Sequence, residues 1–165
     1  MTMVLYWIGK IPVAPGINVT YIRMIFAEIF TRLLEKSWIS GGCASKKATM
    51  WYVSSAQSSL FPRMERHYSK KKRLYWHIDY PTTNEGTRIK CAIYFVTDSK
   101  EFECFLSKRI SALNFSKAVP SFGSTDCRSG CRSHLFILKM SLRQATTSIT
   151  ETYKKLGLRP LLYQH

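Results

Sequence analysis

The sequence predicts an α+β domain: three strand candidates with helices between and after them. Three observations carry that expectation. Residues 50–55 and 88–97 are rich in aromatic and β-branched side chains, residues 133–140 offer a third such run, and apolar positions elsewhere recur at helical spacing. A length of 165 residues suits one domain, and 45% apolar content is enough for a packed core.

From the N-terminus, Ile22, Ile25, Phe26, Ile29 and Leu33 recur at helical spacing, while Arg23, Glu28 and Arg32 interrupt the apolar run. This predicts a buried amphipathic helix within residues 17–34, not a membrane span. No basic start followed by a short apolar run and a small-residue cleavage site is visible, so no signal peptide is expected. Residues 40–48, Ser-Gly-Gly-Cys-Ala-Ser-Lys-Lys-Ala, form a turn-like seam. The expected organisation is a segment 1–49 of helix and strand character, a domain over 50–140, and a closing helix and tail over 141–165. After the first strand, Ser58 and Ser59 can cap a helix that tolerates Pro62 in its first turn. In the second strand Cys91, Ile93 and Phe95 fall on one side and Ala92, Tyr94 and Val96 on the other, apolar enough for a central position. Asp98-Ser-Lys-Glu101 resembles a capping box opening a helix to about Leu113. Its stripe is Phe102, Phe105, Leu106, Ile110 and Leu113, with Glu103 on the margin, where a carboxylate can look into a cleft. Residues 141–156 form a closing helix ended by Gly157 and Pro160.

Charge narrows the partners. Lysine and arginine number 25 against 10 acids, a formal charge of +15, which favours nucleic acid first and an anionic membrane surface second, and disfavours acidic partners. Five cysteines, an odd number without the dense spacing of a secreted disulfide scaffold, indicate the reducing cytoplasm, where the Asn18-Val-Thr20 sequon is idle.

The cations concentrate in one stretch. Arg63, Arg66, Lys70, Lys71, Lys72 and Arg73 stand against the single acid Glu65, a cluster suited to neutralising phosphates and displacing their counterions. On a helix Arg63 and His67 share a face, and Arg66, Lys70 and Arg73 make a neighbouring stripe. A solvated face is the ordinary reading of a charge run, but the near-absence of compensating acids favours binding. Trp76 and Tyr80 read as packing residues. His77 and Asp79, two apart, would share a strand face and pair there.

These residues carry a family resemblance. Trp51-Tyr-Val-Ser-Ser-Ala56, Leu60-x-x-Arg63-x-x-Arg66-His67, Trp76-His-Ile-Asp-Tyr80, Glu103-Cys104, and Phe122-Gly-Ser-x-Asp-Cys127 through Cys131-Arg-Ser-His-Leu-Phe136 resemble the archaeal and bacterial DUF123 family of GIY-YIG-like domains. The five ordered motifs span residues 50–138. The resemblance implies a small, mainly antiparallel sheet of three or slightly more strands flanked by helices and, for the wider superfamily, metal-dependent cleavage of DNA phosphodiesters. Carried over by position, it implies that Tyr52 orients or deprotonates the attacking water and Arg63 stabilises charge on the scissile phosphate. His67 matches the histidine or tyrosine one turn later, and Glu103 the metal-binding glutamate. One carboxylate with waters and phosphate oxygens suits Mg2+ or Mn2+. Two departures stand out: Ser54 replaces the family's glycine, and the first superfamily signature has no counterpart, since Gly16-Ile-Asn18 lacks its tyrosine, for which Tyr21 is a poor substitute.

Asp126-Cys127-x-x-x-Cys131-x-x-His134 has a second reading. Cys127, Cys131 and His134 would supply three zinc ligands and need a fourth, such as Cys104 or Asp126, without any Cys-x-x-Cys knuckle. The alternative is a loop in which Gly123, Ser124 and Gly130 let backbone amides approach DNA while Cys127 packs inside. Expected nucleic-acid contacts are Arg66, Lys70, Lys71, Lys72, Arg73, His77, Ser124, Arg128 and Arg132. Three function classes follow: a metal-dependent DNA endonuclease of DNA repair or processing, an impaired module that only binds, or an accessory domain. Related domains occur fused to repair glycosylases; no iron–sulfur cysteine set is present here, so such a partner would act in trans.

Overall fold

A computed structural model describes residues 6–8, 11–13, 23–34, 46–56, 60–97, 99, 101–125 and 127–163, by backbone alone before residue 48. A short hairpin of β1 (Tyr6–Ile8) and β2 (Ile11–Val13) comes first. There follow β3 (Arg23–Leu34), β4 (Lys46–Ala56), α1 (Leu60–Tyr68), α2 (Asp79–Thr83), β5 (Thr87–Thr97), α3 (Phe102–Ser111), β6 (Ser116–Ala118), β7 (Leu135–Leu138), α4 (Leu142–Lys155) and β8 (Leu161–Tyr163). The larger sheet has the order β6-β7-β4-β3-β5-β8, and each pairing is antiparallel. The class is therefore α+β with an antiparallel sheet flanked by helices. Three long strands, β4-β3-β5, make its centre, and β6, β7 and β8 extend it.

The expected N-terminal helix is instead β3, which pairs with β4 on one side and β5 on the other. The reason is physical. A strand inside a sheet covered on both faces needs apolar residues at successive positions, and such a run also satisfies helical spacing, so periodicity alone cannot separate the two. Residues 17–22 lie outside the described residues, as do Gly16, Asn18 and Tyr21. Residues 46–48 of the expected seam run within β4.

Strand alternation sorts the core into two layers. Trp51 and Val53 of β4, Cys91, Ile93 and Phe95 of β5, and Phe136 and Leu138 of β7 pack beneath α3 and α4 through Leu106, Ile110, Ala145, Ile149 and Tyr153. The opposite face carries Met50, Tyr52, Ala92, Tyr94 and Leu135 against α1 and the segment around Ile78. Opposite Ile29 and Phe30 the register of β5 shifts so that Lys90 is an extra residue, a bulge. It places Ile89 in the second layer and Cys91 in the first, two residues that an unbroken strand would point the same way.

Helix ends follow local chemistry. Ser141 and Gln144 form a reciprocal capping box at α4, and Gly157, at φ 75°, turns the chain after it by donating to the Lys154 carbonyl. α3 starts later than a cap at Asp98 would allow: its N-cap is Glu101, with no side-chain cap, and Asp98 lies outside the described residues. The hydroxyls of Thr97 and Ser99 instead accept from the amides of Ser99 and Glu101. Among the described residues no helix is long and apolar enough to cross a membrane.

Tyr153 is fully buried in the first layer and its hydroxyl finds no hydrogen-bond partner among the described residues, so burial pushes its pKa up. Tyr153→Phe removes that unmet group while keeping the ring against Trp51 and Phe95. The variant is expected to gain about 1 kcal/mol in denaturant unfolding, and a loss of similar size would show that the hydroxyl is satisfied.

Candidate functional site

The basic stretch divides. α1 ends at Tyr68, so Lys70, Lys71, Lys72 and Arg73 are not a helical stripe but lie on the following connection. Lys70 donates to the carbonyls of Thr82, Asn84 and Thr87 at 2.6–2.9 Å, which uses all three ammonium protons. Burial and then the charge of Arg88 lower its pKa, against the opposing charge of Glu85. Lys72 donates to the carbonyls of Arg66 and His67 and to the hydroxyl of Thr82 at 2.8–3.0 Å. Both lysines therefore fasten the connection to α1 and α2, while Lys71 and Arg73 are exposed.

Asp79 organises the same connection. It opens α2, with 0% side-chain exposure, instead of sharing a strand face with His77. Its Oδ2 accepts from Arg66 at 2.6 Å and from the Tyr75 and Trp76 amides at 2.9 Å each, and Lys72 stands 3.5 Å from Oδ1. Burial raises its pKa, but the two amides, Arg66 and Lys72 outweigh that and hold it below the usual carboxylate range. His77 is exposed and turns to Phe122.

Tyr52 and His67 are buried, at 7% and 0% exposure. His67 packs edge-on against Trp76, whose ring also lies under the guanidinium groups of Arg63 and Arg66 at 4.3 and 5.0 Å. Tyr52 meets Phe122, and a Cβ at Gly123, whose φ is 65°, would stand 3.4 Å from the tyrosine ring. That is ordinary van der Waals contact, so it is the positive φ that favours glycine here. Ser124 is buried, while Arg128 and Arg132 are exposed.

Arg63 and Glu103 are anchored to adjacent residues of β4, near enough for the charge of Arg63 to act on Glu103. Successive residues of β4 point to opposite faces, and Ser54 and Ser55 use this to gather α1 and α3 at one strand end. Arg63 of α1 donates to Ser54 at 3.3 Å; Ser55 donates to Glu103 of α3 at 2.6 Å. Ser54 sits in ordinary extended backbone, so its position does not need the φ that only glycine adopts freely. Burial pushes the Glu103 carboxyl up, yet hydrogen bonds from His134 and Ser55 and the charges of His134 and Arg63 bring it net below its ordinary value. The carboxylate is ionised and held, and the two bonds occupy two of its roughly four lone-pair positions.

The other oxygen of Glu103 leads to a second cluster. His134 Nδ1 donates to Oε1 at 2.9 Å, and its backbone carbonyl accepts from Val53 at 2.9 Å. Its Nε2 is buried and makes no hydrogen bond among the described residues. Around it lie Cys104, Cys127 and Cys131, and the ligand atoms of all four residues fall within 4.8 Å of one another. The thiols are free, with Cys104 and Cys127 Sγ 3.3 Å apart. Burial and the neighbouring sulfurs raise Cys131. Burial also acts on Cys127, but the Cys131 amide, the Cys104 and Cys131 thiols and the Ser129 amide take it down to about 6. Burial lowers His134, and Glu103 followed by Cys127 more than reverses this. Cys104, one of the two fourth ligands the sequence offered, is the one present; Asp126 lies outside the described residues. Trp76 packs, as the sequence suggested; Ser55 is the residue that sequence reasoning missed at this site, and its only signal was its place in the Tyr52 motif.

A sequence model of a family described as a domain of unknown function, DUF123, matches residues 37–157. No curated protein and no solved structure matches the chain.

Proposed function

The chain belongs to the DUF123 family, and from that premise we propose that it is a cytoplasmic, GIY-YIG-like nuclease that binds DNA through phosphates and hydrolyses phosphodiester bonds in repair or processing. The observation that carries the reading is that the adjacent residues Ser54 and Ser55 at the end of β4 hold Arg63 and Glu103, and that the charge of Arg63 reaches the Glu103 carboxylate. In this reading Arg63 holds a phosphate oxygen and stabilises the charge that grows on it. Glu103, already ionised, has lone pairs left for a hard ion, and a single carboxylate suits Mg2+ or Mn2+, which keep waters and take phosphate oxygens. When bound, the metal would supply charge neutralisation at the phosphate. Tyr52 precedes Ser54 by two residues on the same strand face and would orient water from there. Of the basic residues, the exposed Lys71, Arg73, Arg128 and Arg132 are the phosphate contacts, since the ammonium groups of Lys70 and Lys72 are already engaged. A repair enzyme would be the partner in trans.

A binding-only reading has one observation in its favour: Tyr52 and His67 are buried. Incubation of nicked, flapped and duplex DNA with magnesium or manganese separates the two. Cleavage is expected with the wild type and not with Glu103→Ala; salt-dependent binding without cleavage would leave the module reading. Replacing both Lys71 and Arg73 by alanine is expected to reduce the log–log salt slope by about 1.8, at about 0.9 for each phosphate. An unchanged slope would place the phosphate track elsewhere.

A further inference from the structure

We propose that Cys104, Cys127, Cys131 and His134 bind one zinc ion that ties α3 to the loop between β6 and β7, with Glu103 orienting the histidine. The inference does not rest on the hydrolytic reading. Four soft or borderline donors whose ligand atoms lie within 4.8 Å of one another are the size of a tetrahedral site. Zinc–sulfur bonds of about 2.3 Å put tetrahedral sulfurs about 3.8 Å apart, close to the 3.3 Å between Cys104 and Cys127. The second observation is independent of the sulfurs. His134 is 4% exposed, its Nε2 makes no hydrogen bond among the described residues, and its Nδ1 donates to a carboxylate. A zinc-ligating histidine has this arrangement: the carboxylate fixes the tautomer that leaves Nε2 as the donor and raises its basicity.

The site is closed. Three thiolates and one neutral imidazole fill four positions, and binding Zn2+ releases the thiol protons to solvent, leaving the centre with a net charge of −1. No position remains for water, so the ion is structural. Its effect is to join two segments that the chain separates widely: Cys104 stands in α3, and the other three ligands lie in the loop and at the entrance to β7. Because Glu103 and Cys104 are adjacent, the same turn of α3 supplies one ligand and the carboxylate that orients another.

The test is metal analysis of the full chain purified under reducing conditions, followed by cobalt substitution. About one zinc per chain is expected, with cobalt giving the intense visible bands of a tetrahedral thiolate site. Chelation should lower the melting temperature and expose additional thiols to a thiol reagent. Glu103→Ala is expected to keep the stoichiometry but weaken zinc by roughly 10- to 100-fold in a competition with a chromophoric chelator. Cys127→Ser should lose the metal outright. Wild-type protein without zinc and without tetrahedral cobalt bands would overturn the proposal. So would iron in its place, or a Cys104–Cys127 disulfide seen by mass in metal-free protein.

Discussion

Replacing Asp79 by alanine is expected to lower stability by about 3–5 kcal/mol in denaturant unfolding, because the substitution leaves charge buried without its counterpart. The Lys72 side chain is 3% exposed and its ammonium stands 3.5 Å from the Asp79 carboxylate it would lose, while the Tyr75 and Trp76 amides also lose their acceptor. Asp79→Asn keeps the shape and separates charge from volume. The carboxyl titrates lower in the folded chain than in the unfolded one. Its contribution is therefore complete above the unfolded value of about 3.9 and is lost as pH falls through the folded value. The stability gap between wild type and Asp79→Asn should narrow as pH falls below about 4. A gap that stays constant into acid would mean that packing, not charge, holds the connection.

That connection also shows what the sequence could and could not convey. The excess of cations over acids between Arg63 and Arg73 was legible, but their division of labour was not. Whether a lysine faces solvent depends on which carbonyls the fold brings to its ammonium group, and Lys70 finds three of them between Thr82 and Thr87. Strand β5 was legible because alternating sides both carried apolar residues, and α4 because its cap and its terminal glycine act locally. β3 was misread as helix because its apolar positions fit both periods, and only the pairing of β4 and β5 on either side decides between them. The candidate ligand cluster was visible in the spacing of Cys127, Cys131 and His134, with the fourth member left open between Cys104 and Asp126. The fourth member, Cys104, lies 23 residues before Cys127, a distance at which only the packing of α3 against the sheet makes the two neighbours.

On the nuclease reading proposed above, Arg63→Lys is expected to cut cleavage by about 10²- to 10³-fold while leaving the chain folded. The guanidinium of Arg63 reaches Ser54 and lies over the Trp76 ring, so its plane is fixed by two contacts while its charge acts on Glu103. A lysine keeps the charge but not the plane, and one ammonium cannot stack on Trp76 and present paired donors to a phosphate. The lost stacking should cost stability only about 0.5–1 kcal/mol, so a much larger destabilisation would make the activity loss uninterpretable as chemistry and assign Arg63 to the fold. Zinc stoichiometry should be unchanged, because Arg63 belongs to α1 and the four ligands do not. A variant that binds DNA with the wild-type salt slope and has lost cleavage would separate the phosphate track from the reacting phosphate. Cleavage at the wild-type rate would remove Arg63 from the chemistry and leave it as the residue that seats Trp76.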